Sequence, residues 1–207
     1  CIRDSVDSAR KRGAPEGTLV GRLFEVEVLG DRLLDKDVTA MTLLALIGGT
    51  ETLPKALSAA VHRLGQHPDQ RAEIVADPAL ASDAFHEALR YDMPTQMLGR
   101  RLKTDLELHG QTLRKGNGVL FLYASGNRDE REFTDPDRFD IHRRAKRILS
   151  FGAGPHMCLG AHVARMEGKV MLQELLARIP EYEVDEANAK RLHSELFQGW
   201  AELPILF

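Results

Sequence analysis

The sequence predicts a mainly α-helical fold with a minor β part. Apolar residues recur at helical spacing over long stretches, most clearly over residues 38–64 and 160–178. Strand-like alternation is confined to short stretches such as residues 106–113, where a turn at His109-Gly110 predicts a small hairpin. Hydrophobic residues make up 43% of the chain, which is enough to bury a sizeable core.

The charge balance and the cysteine count exclude several classes of protein. The 207 residues carry 28 Lys and Arg against 31 Asp and Glu, which argues against a nucleic-acid binder and against a disordered acidic chain. The longest charge-free run, residues 38–50, is shorter than the about 20 apolar residues that a membrane helix needs. Cys1 and Cys158 cannot form a disulfide framework, and no signal-peptide pattern is present. We therefore expect a soluble, cytoplasmic protein with no membrane contact.

The first elements in chain order are two short helices. Residues 1–12 already have the composition of a charged helix, which Gly13-Ala14-Pro15 would end. Because the chain begins with Cys1 rather than Met, we expect a fragment whose N-terminal part is missing. Residues 18–28 predict a second short helix before a turn at Gly30-Asp31.

A long hydrophobic helix follows over residues 38–64, with Asp35 and Asp37 suited to its N-terminus. It contains Gly48-Gly49 and Pro54, although Gly costs about 1 kcal/mol and Pro about 3 kcal/mol in a helix interior. Two interpretations fit: a core helix with tolerated defects, or a helix distorted to make room for a ligand.

The remaining elements are assigned from caps, breakers and periodicity. The sequence predicts helices over 68–75, 80–90 and 160–178, a strand or helix start over 119–124, an ordered meander over 127–149, a loop over 150–159 and short strands over 183–207.

The loop from Phe151 to Gly160 carries the chemistry. Its glycines allow close backbone approach, and Cys158 precedes a long helix whose N-terminus favours a thiolate, the form that binds a metal. Taken alone, Cys158 could be a small buried hydrophobe, and a zinc site lacks a second cysteine pair although His156 and His162 flank it. The pattern Phe-Gly-x-Gly-x-x-x-Cys-x-Gly resembles the haem-binding loop of the cytochrome P450 family.

Two further motifs occur in the order that this family requires. Glu87-Ala-Leu-Arg90 resembles its Glu-x-x-Arg helix motif, in which the buried ion pair is joined by an arginine of the meander, a position that Arg138 matches. Residues 48–52, Gly-Gly-Thr-Glu-Thr, resemble the oxygen-binding groove. The resemblance runs over the whole chain and implies the C-terminal portion of the cytochrome P450 fold, part of a single haem domain.

The resemblance implies a role for each matching residue. The cofactor would be haem b (Fe-protoporphyrin IX, also written heme b), with Cys158 as the iron ligand and Arg100 and His156 as propionate partners. Glu51 and Thr52 would relay protons. The remaining residues of the haem site would be Phe151, Gly152, Gly160, Gly48 and Gly49, and those of the substrate pocket Leu44, Ile47, Gln96, Leu98, Leu196 and Phe197.

The function implied is a haem-thiolate monooxygenase that inserts one oxygen atom from O2 into a small hydrophobic substrate. Electrons would come from NAD(P)H through a separate ferredoxin-type partner, docked on a basic cluster of Arg143, Arg144, Lys146, Arg147 and Arg165 at the Cys158 side. The alternatives are a haem-thiolate peroxygenase or isomerase and a non-catalytic relative that binds or activates. We expect the chain alone to be a poor enzyme without the missing N-terminal part.

Overall fold

Helices form most of this computed structural model, which describes residues 1–14 and 16–207. The described residues divide into two units, residues 1–51 and 52–207, each with a hydrophobic core of its own. The helices are α1 (Ile2–Arg12), α2 (Leu19–Glu25), α3 (Asp35–Gln66), α4 (Pro68–Ala76), α5 (Ala81–Tyr91), α6 (Tyr123–Gly126) and α7 (Ala161–Arg178).

In the described part of the chain, the strands are short and form five antiparallel pairs. They are β1 (Glu27–Val28) with β2 (Asp31–Arg32), β3 (Leu98–Arg101) with β6 (Gly118–Phe121), β4 (Leu106–Leu108) with β5 (Gln111–Leu113), β7 (Glu183–Val184) with β10 (Ile205–Leu206), and β8 (Lys190–Arg191) with β9 (Trp200–Glu202). The predicted mainly helical fold with a minor β part is confirmed.

One local prediction needs correction, a second is refined, and a third falls partly outside the described residues. The second helix ends at Glu25 instead of continuing to Val28, because Leu29 and Gly30 both adopt positive φ and turn the chain into the β1–β2 hairpin. Residues 119–124 divide into the end of strand β6 and the start of the short helix α6. The predicted stop after α1 includes Pro15, which lies outside the described residues.

The first unit is built around a small core. Val6 of α1, Leu23 of α2 and Val38 of α3 are buried against one another. Arg10 closes this unit by donating from Nε and Nη2 to Oδ1 of Asp35, at 2.9 and 2.6 Å. The start of α3 is thereby tied to the end of α1.

Helix α3 is continuous from Asp35 to Gln66, so neither the glycine pair nor Pro54 interrupts it. Its threonine hydroxyls donate back into the helix, as Thr50 Oγ1 does to the carbonyl of Leu46 at 2.9 Å. The sequence features that could break this helix are therefore accommodated within it. Its first part belongs to the first unit and its last part to the second.

The core of the second unit is formed mainly where α5 packs against α7. Gly168 of α7 faces Phe85 of α5 so closely that a Cβ atom at Gly168 would lie 2.3 Å from the ring. Leu172 and Leu176 of α7 continue the buried face. Each buried leucine or phenylalanine contributes about 1.5–3 kcal/mol, so this contact fixes α7 and the residues at its N-terminus.

No helix among the described residues combines the length and the apolar character needed to cross a membrane.

Candidate functional site

The loop before α7 folds back on itself. Gly152 and Gly154 adopt φ of 70° and 67°, a left-handed conformation that side-chain-bearing residues rarely take. The amide of Met157 donates to the carbonyl of Gly154 at 3.0 Å, and the amide of Cys158 donates to the carbonyl of Phe151 at 2.8 Å. These bonds close the loop and place Cys158 directly ahead of the α7 N-terminus.

Cys158 is exposed, forms no disulfide and lies among exposed apolar residues. Its neighbour Leu159 is 82% exposed, and Met157 and Val163 are also exposed. Gly160 lies close to the sulfur, because a Cβ atom built there would be 4.0 Å from Cys158 Sγ. The prediction that Cys158 could be a buried hydrophobe is therefore wrong.

The residues around Cys158 fit a haem and do not fit zinc. Among residues 1–14 and 16–207, no group of three or more His, Cys, Asp or Glu side chains could hold a metal ion. An accessible cysteine ahead of a helix N-terminus, bordered by apolar side chains, supplies the single thiolate and the apolar contact surface that a haem requires.

Arg100 and His156, the two predicted propionate partners, are both exposed. Arg100 lies on β3, and its Nη1 donates to the carbonyl of Gly99 at 2.8 Å. His156 ends the short 3-10 turn Gly154–His156 of the cysteine loop. Neither side chain is paired with a carboxylate of the described residues, so both are available to an external one.

Glu87 and Arg90 form a buried ion pair behind the loop. Arg90 donates from Nε to Oε2 and from Nη2 to Oε1 of Glu87, each at 2.8 Å, and both side chains are nearly inaccessible. The remaining guanidinium hydrogens donate to the carbonyls of Asn127, Pro136 and Arg138. Every donor of the buried cation is thereby used, as a buried charge requires.

Arg143, and not Arg138, completes this ion pair. The Arg138 side chain is 67% exposed and lies 3.4 Å from Asp140, so the predicted third position is wrong. The backbone turns it outward while the next residue, Phe139, is buried. Arg143 instead reaches inward and donates from Nε to Glu87 Oε1 at 3.1 Å.

Arg143 is also withdrawn from the predicted basic cluster. Arg144 pairs with Asp83 at 3.0 Å, and Arg165 stacks on Phe151 with its guanidinium carbon 4.4 Å from the ring centroid. Lys146 and Arg147 remain exposed with no carboxylate partner among the described residues. The two of them are the uncommitted cations of that cluster.

Two segments predicted to line the substrate pocket lie together in the second unit. The amide of Gln96 donates to the carbonyl of Leu196 at 2.9 Å, and Thr95 forms a β-bridge with Phe197. The Gln96 side chain donates its Nε2 hydrogens at 3.4 Å to the carbonyls of Ser194, Glu195 and Phe197. Its amide nitrogen therefore holds the segment 194–197 in place, while Leu98 and Leu196 stay exposed.

The residues predicted for the oxygen-binding groove, and the substrate-pocket residues that precede them on α3, are divided between the two units. Leu44, Ile47, Gly48, Gly49 and Glu51 belong to the first unit and Thr52 to the second. Leu44 is 71% exposed, Ile47 is also exposed, and a Cβ atom at either glycine would meet nothing within 4 Å. The proton-relay and pocket roles of this segment stay predictions.

Comparison with known proteins identifies a family. The sequence model described as Cytochrome P450 matches residues 22–192. The chain is 43% identical, over 95% of its length and 49% of the relative's, to "Putative cytochrome P450 123" of Mycobacterium tuberculosis. It is 36% identical, over 96% of its length and 50% of the relative's, to a steroid C26-monooxygenase of Mycolicibacterium smegmatis.

Solved structures give the same result. A post-tailoring hydroxylase of himastatin biosynthesis superposes with a TM-score of 0.92 and 34% identity, over 99% of this chain and 55% of that one. The chain thus spans about half the length of the relatives that it matches.

Proposed function

The chain belongs to the cytochrome P450 family, and we propose that it supplies the cysteine-ligand side of a haem-thiolate monooxygenase that inserts one oxygen atom from O2 into a small hydrophobic organic substrate. The observation that carries this proposal is the exposed Cys158 in a glycine-shaped loop, held in front of the buried Glu87–Arg90–Arg143 cluster.

The chain's own residues would hold and orient the cofactor. Cys158 would ligate the iron as a thiolate, and Arg100 and His156 would pair with the propionates. The exposed apolar residues Leu159 and Val163 would cover the ring and exclude water. When bound, haem b supplies the reductive activation of dioxygen, which no side chain can perform.

Glu51 and Thr52 would deliver protons to the reacting oxygen. A carboxyl and a hydroxyl can each exchange protons with water. Leu98 and Leu196, on the two joined pocket segments, offer an apolar surface, which supports a hydrophobic substrate. Relatives of this chain include a steroid C26-monooxygenase, a name that agrees with an apolar substrate.

A separate protein would supply the electrons, taken from NAD(P)H, because the sequence carries no flavin or iron–sulfur motif. Exposed Lys146 and Arg147 suit an acidic ferredoxin-type partner. This partner would dock on the Cys158 side of the protein.

An assay with isotopically labelled dioxygen tests the proposal. The chain is assayed alone and as a chimera in which it replaces the corresponding half of the Mycolicibacterium smegmatis relative, with a steroid substrate, haem, NAD(P)H, ferredoxin and its reductase. We expect the chimera to give a product that contains one labelled oxygen atom. Product formed only with hydrogen peroxide would identify a peroxygenase, and haem binding without any product would identify a non-catalytic relative.

A further inference from the structure

Asn127 is a fully buried polar residue that belongs to none of the motifs above. Its side-chain oxygen accepts a hydrogen bond from the amide of Leu149 at 2.7 Å. Its side-chain nitrogen donates to Ser150 Oγ at 2.9 Å and to Met93 Sδ at 3.3 Å. Both ends of the side-chain amide are therefore satisfied, in a place where an unsatisfied amide would be costly.

The backbone of Asn127 contacts the buried ion pair. Its carbonyl accepts a hydrogen bond from Arg90 Nη1 at 2.8 Å. Arg90 is in turn fixed by Glu87 through two hydrogen bonds. The backbone of Asn127 is thus bound directly to Arg90, a fully buried charge of the second unit.

The side chain of Asn127 contacts the residues at the start of the cysteine loop. Leu149 and Ser150 immediately precede that loop, and the Gly152 amide donates to the Leu149 carbonyl at 2.8 Å. Ser150 Oγ also donates to the carbonyl of Leu89 at 2.6 Å, which ties the same point to α5. The next bond along the chain joins the Phe151 carbonyl to the Cys158 amide.

Hydrogen bonds, together with the short chain segment 149–152, connect Arg90 through Asn127 to Cys158. A buried asparagine that only filled space would be replaceable by an apolar residue at little cost. Asn127 instead satisfies two groups on the segment that leads into the loop and one on the ion pair. A side chain that offers both an acceptor and a donor is needed for this arrangement.

We propose that Asn127 is a positioning residue that fixes the start of the Cys158 loop against the Glu87–Arg90 ion pair and thereby orients the Cys158 sulfur. The consequence for haem ligation rests on the proposed function, whereas the ordering of the loop can be measured without haem.

Hydrogen exchange of the haem-free chain tests the ordering of the loop. The variants are Asn127→Ala, Ser150→Ala and the control Asn117→Ala, whose exposed side chain forms no hydrogen bond to the described residues. In Asn127→Ala we expect the Leu149 and Cys158 amides to exchange about tenfold faster, because loss of a buried hydrogen bond lowers the free energy of local opening. Ser150→Ala should show a smaller effect, and Asn117→Ala none. Amides in the β4–β5 hairpin should be unchanged in all three variants.

The spectrum of the haem-loaded protein tests the consequence for ligation. In the chimera, reduced and exposed to carbon monoxide, we expect Asn127→Ala to lose at least about half of the red-shifted thiolate Soret band while its helical circular dichroism equals that of Asn117→Ala. Unchanged exchange together with an unchanged band would overturn the inference.

The outcomes separate this inference from the proposed function. If the unsubstituted chimera shows no thiolate band but Asn127→Ala still loosens the loop, the proposed function fails and the loop-positioning role stands. If Asn127→Ala does not fold, Ser150→Ala decides: faster exchange at Leu149 and Cys158 supports the inference, and unchanged exchange overturns it.

Discussion

Arg143 donates from Nε to Oε1 of Glu87 at 3.1 Å, although the two residues are 56 positions apart in the sequence. Glu87 Oε1 also accepts from Arg90, so one buried carboxylate joins a helix to the meander. Arg143 also donates from Nη1 to the carbonyl of Thr134 and from Nη2 to the carbonyls of Asp135 and Arg138. The meander is therefore folded around this arginine, and the ion pair closes it.

Arg143→Ala should destabilise the protein far more than Arg138→Ala. The first change removes a partner from a buried carboxylate and the donor of the Thr134 carbonyl, while the Asp135 and Arg138 carbonyls keep one donor each, and we expect it to cost about 2–4 kcal/mol. The second removes an exposed ion pair and should change the free energy of unfolding by less than about 0.5 kcal/mol. Urea unfolding of both variants measures the difference. Equal losses would show that Arg138 also contributes to the cluster.

Gly168→Ala should destabilise the packing of α5 against α7. The new methyl group would meet the Phe85 ring at 2.3 Å, and overpacking of this kind costs about 1–3 kcal/mol. The alanine offsets about 1 kcal/mol of this through its better helix propensity. The control is Gly118→Ala, where a Cβ atom meets nothing within 4 Å.

A second substitution identifies the cause of the Gly168→Ala effect. Adding Phe85→Leu should recover part of the stability if the clash with the ring is responsible. The urea midpoint of the double variant, compared with those of the two single variants, measures this coupling. If the changes in unfolding free energy of the two single variants simply add in the double variant, the proposed clash is contradicted.

His62 should make the stability of the second unit depend on pH. Burial lowers the pKa of His62, although the nearby Glu186 carboxylate, 2.9 Å from Nε2, acts in the opposite direction. Arg63 and Arg191 lower it further. Since the unfolded chain then binds the proton more readily than the folded one, the free energy of unfolding should fall as the pH drops below the ordinary histidine value of 6.5.

The single tryptophan, Trp200, reports this unfolding directly, because its ring lies 4.6 Å from that of His62. The urea concentration at the unfolding midpoint, followed by tryptophan fluorescence, should decrease as the pH is lowered from about 8 to about 5. In His62→Gln the pH dependence should be weaker. If both proteins show the same dependence, the buried histidine does not cause it.

Thr52→Ala should uncouple electron consumption from product formation in the haem-loaded chimera. The threonine hydroxyl is the group proposed to deliver protons to the reacting oxygen. The control is Thr50→Ala, whose hydroxyl donates to the Leu46 carbonyl within α3. The ratio of product formed to NAD(P)H consumed should fall several-fold in Thr52→Ala and stay near the unsubstituted value in Thr50→Ala. Equal ratios would remove Thr52 from the proton path.

Elements set by local chemistry could be predicted from the sequence. The β4–β5 hairpin follows from His109-Gly110, which adopt the positive φ values that a tight turn requires. Helix α7 begins and ends within a residue of its prediction, because its apolar periodicity is strong and Ile179-Pro180 stops it.

Contacts between distant segments could not be predicted in this way. The choice between Arg138 and Arg143 depends on which way the meander backbone turns, and nothing in the local sequence fixes that direction. Strand β3 was missed because it pairs with β6 across an intervening hairpin, so its partner is remote in sequence. Asn127 was missed because a single asparagine in a charged segment gives no sign of burial.

The measurement that tests the central claim most directly is the carbon-monoxide difference spectrum of the reduced, haem-loaded protein, compared with that of Cys158→Ala. We predict a strongly red-shifted Soret band in the unsubstituted protein and its complete loss in Cys158→Ala, because the cysteine thiolate is the proposed iron ligand. A band of equal position and strength in both proteins, or no such band in either, would contradict the account.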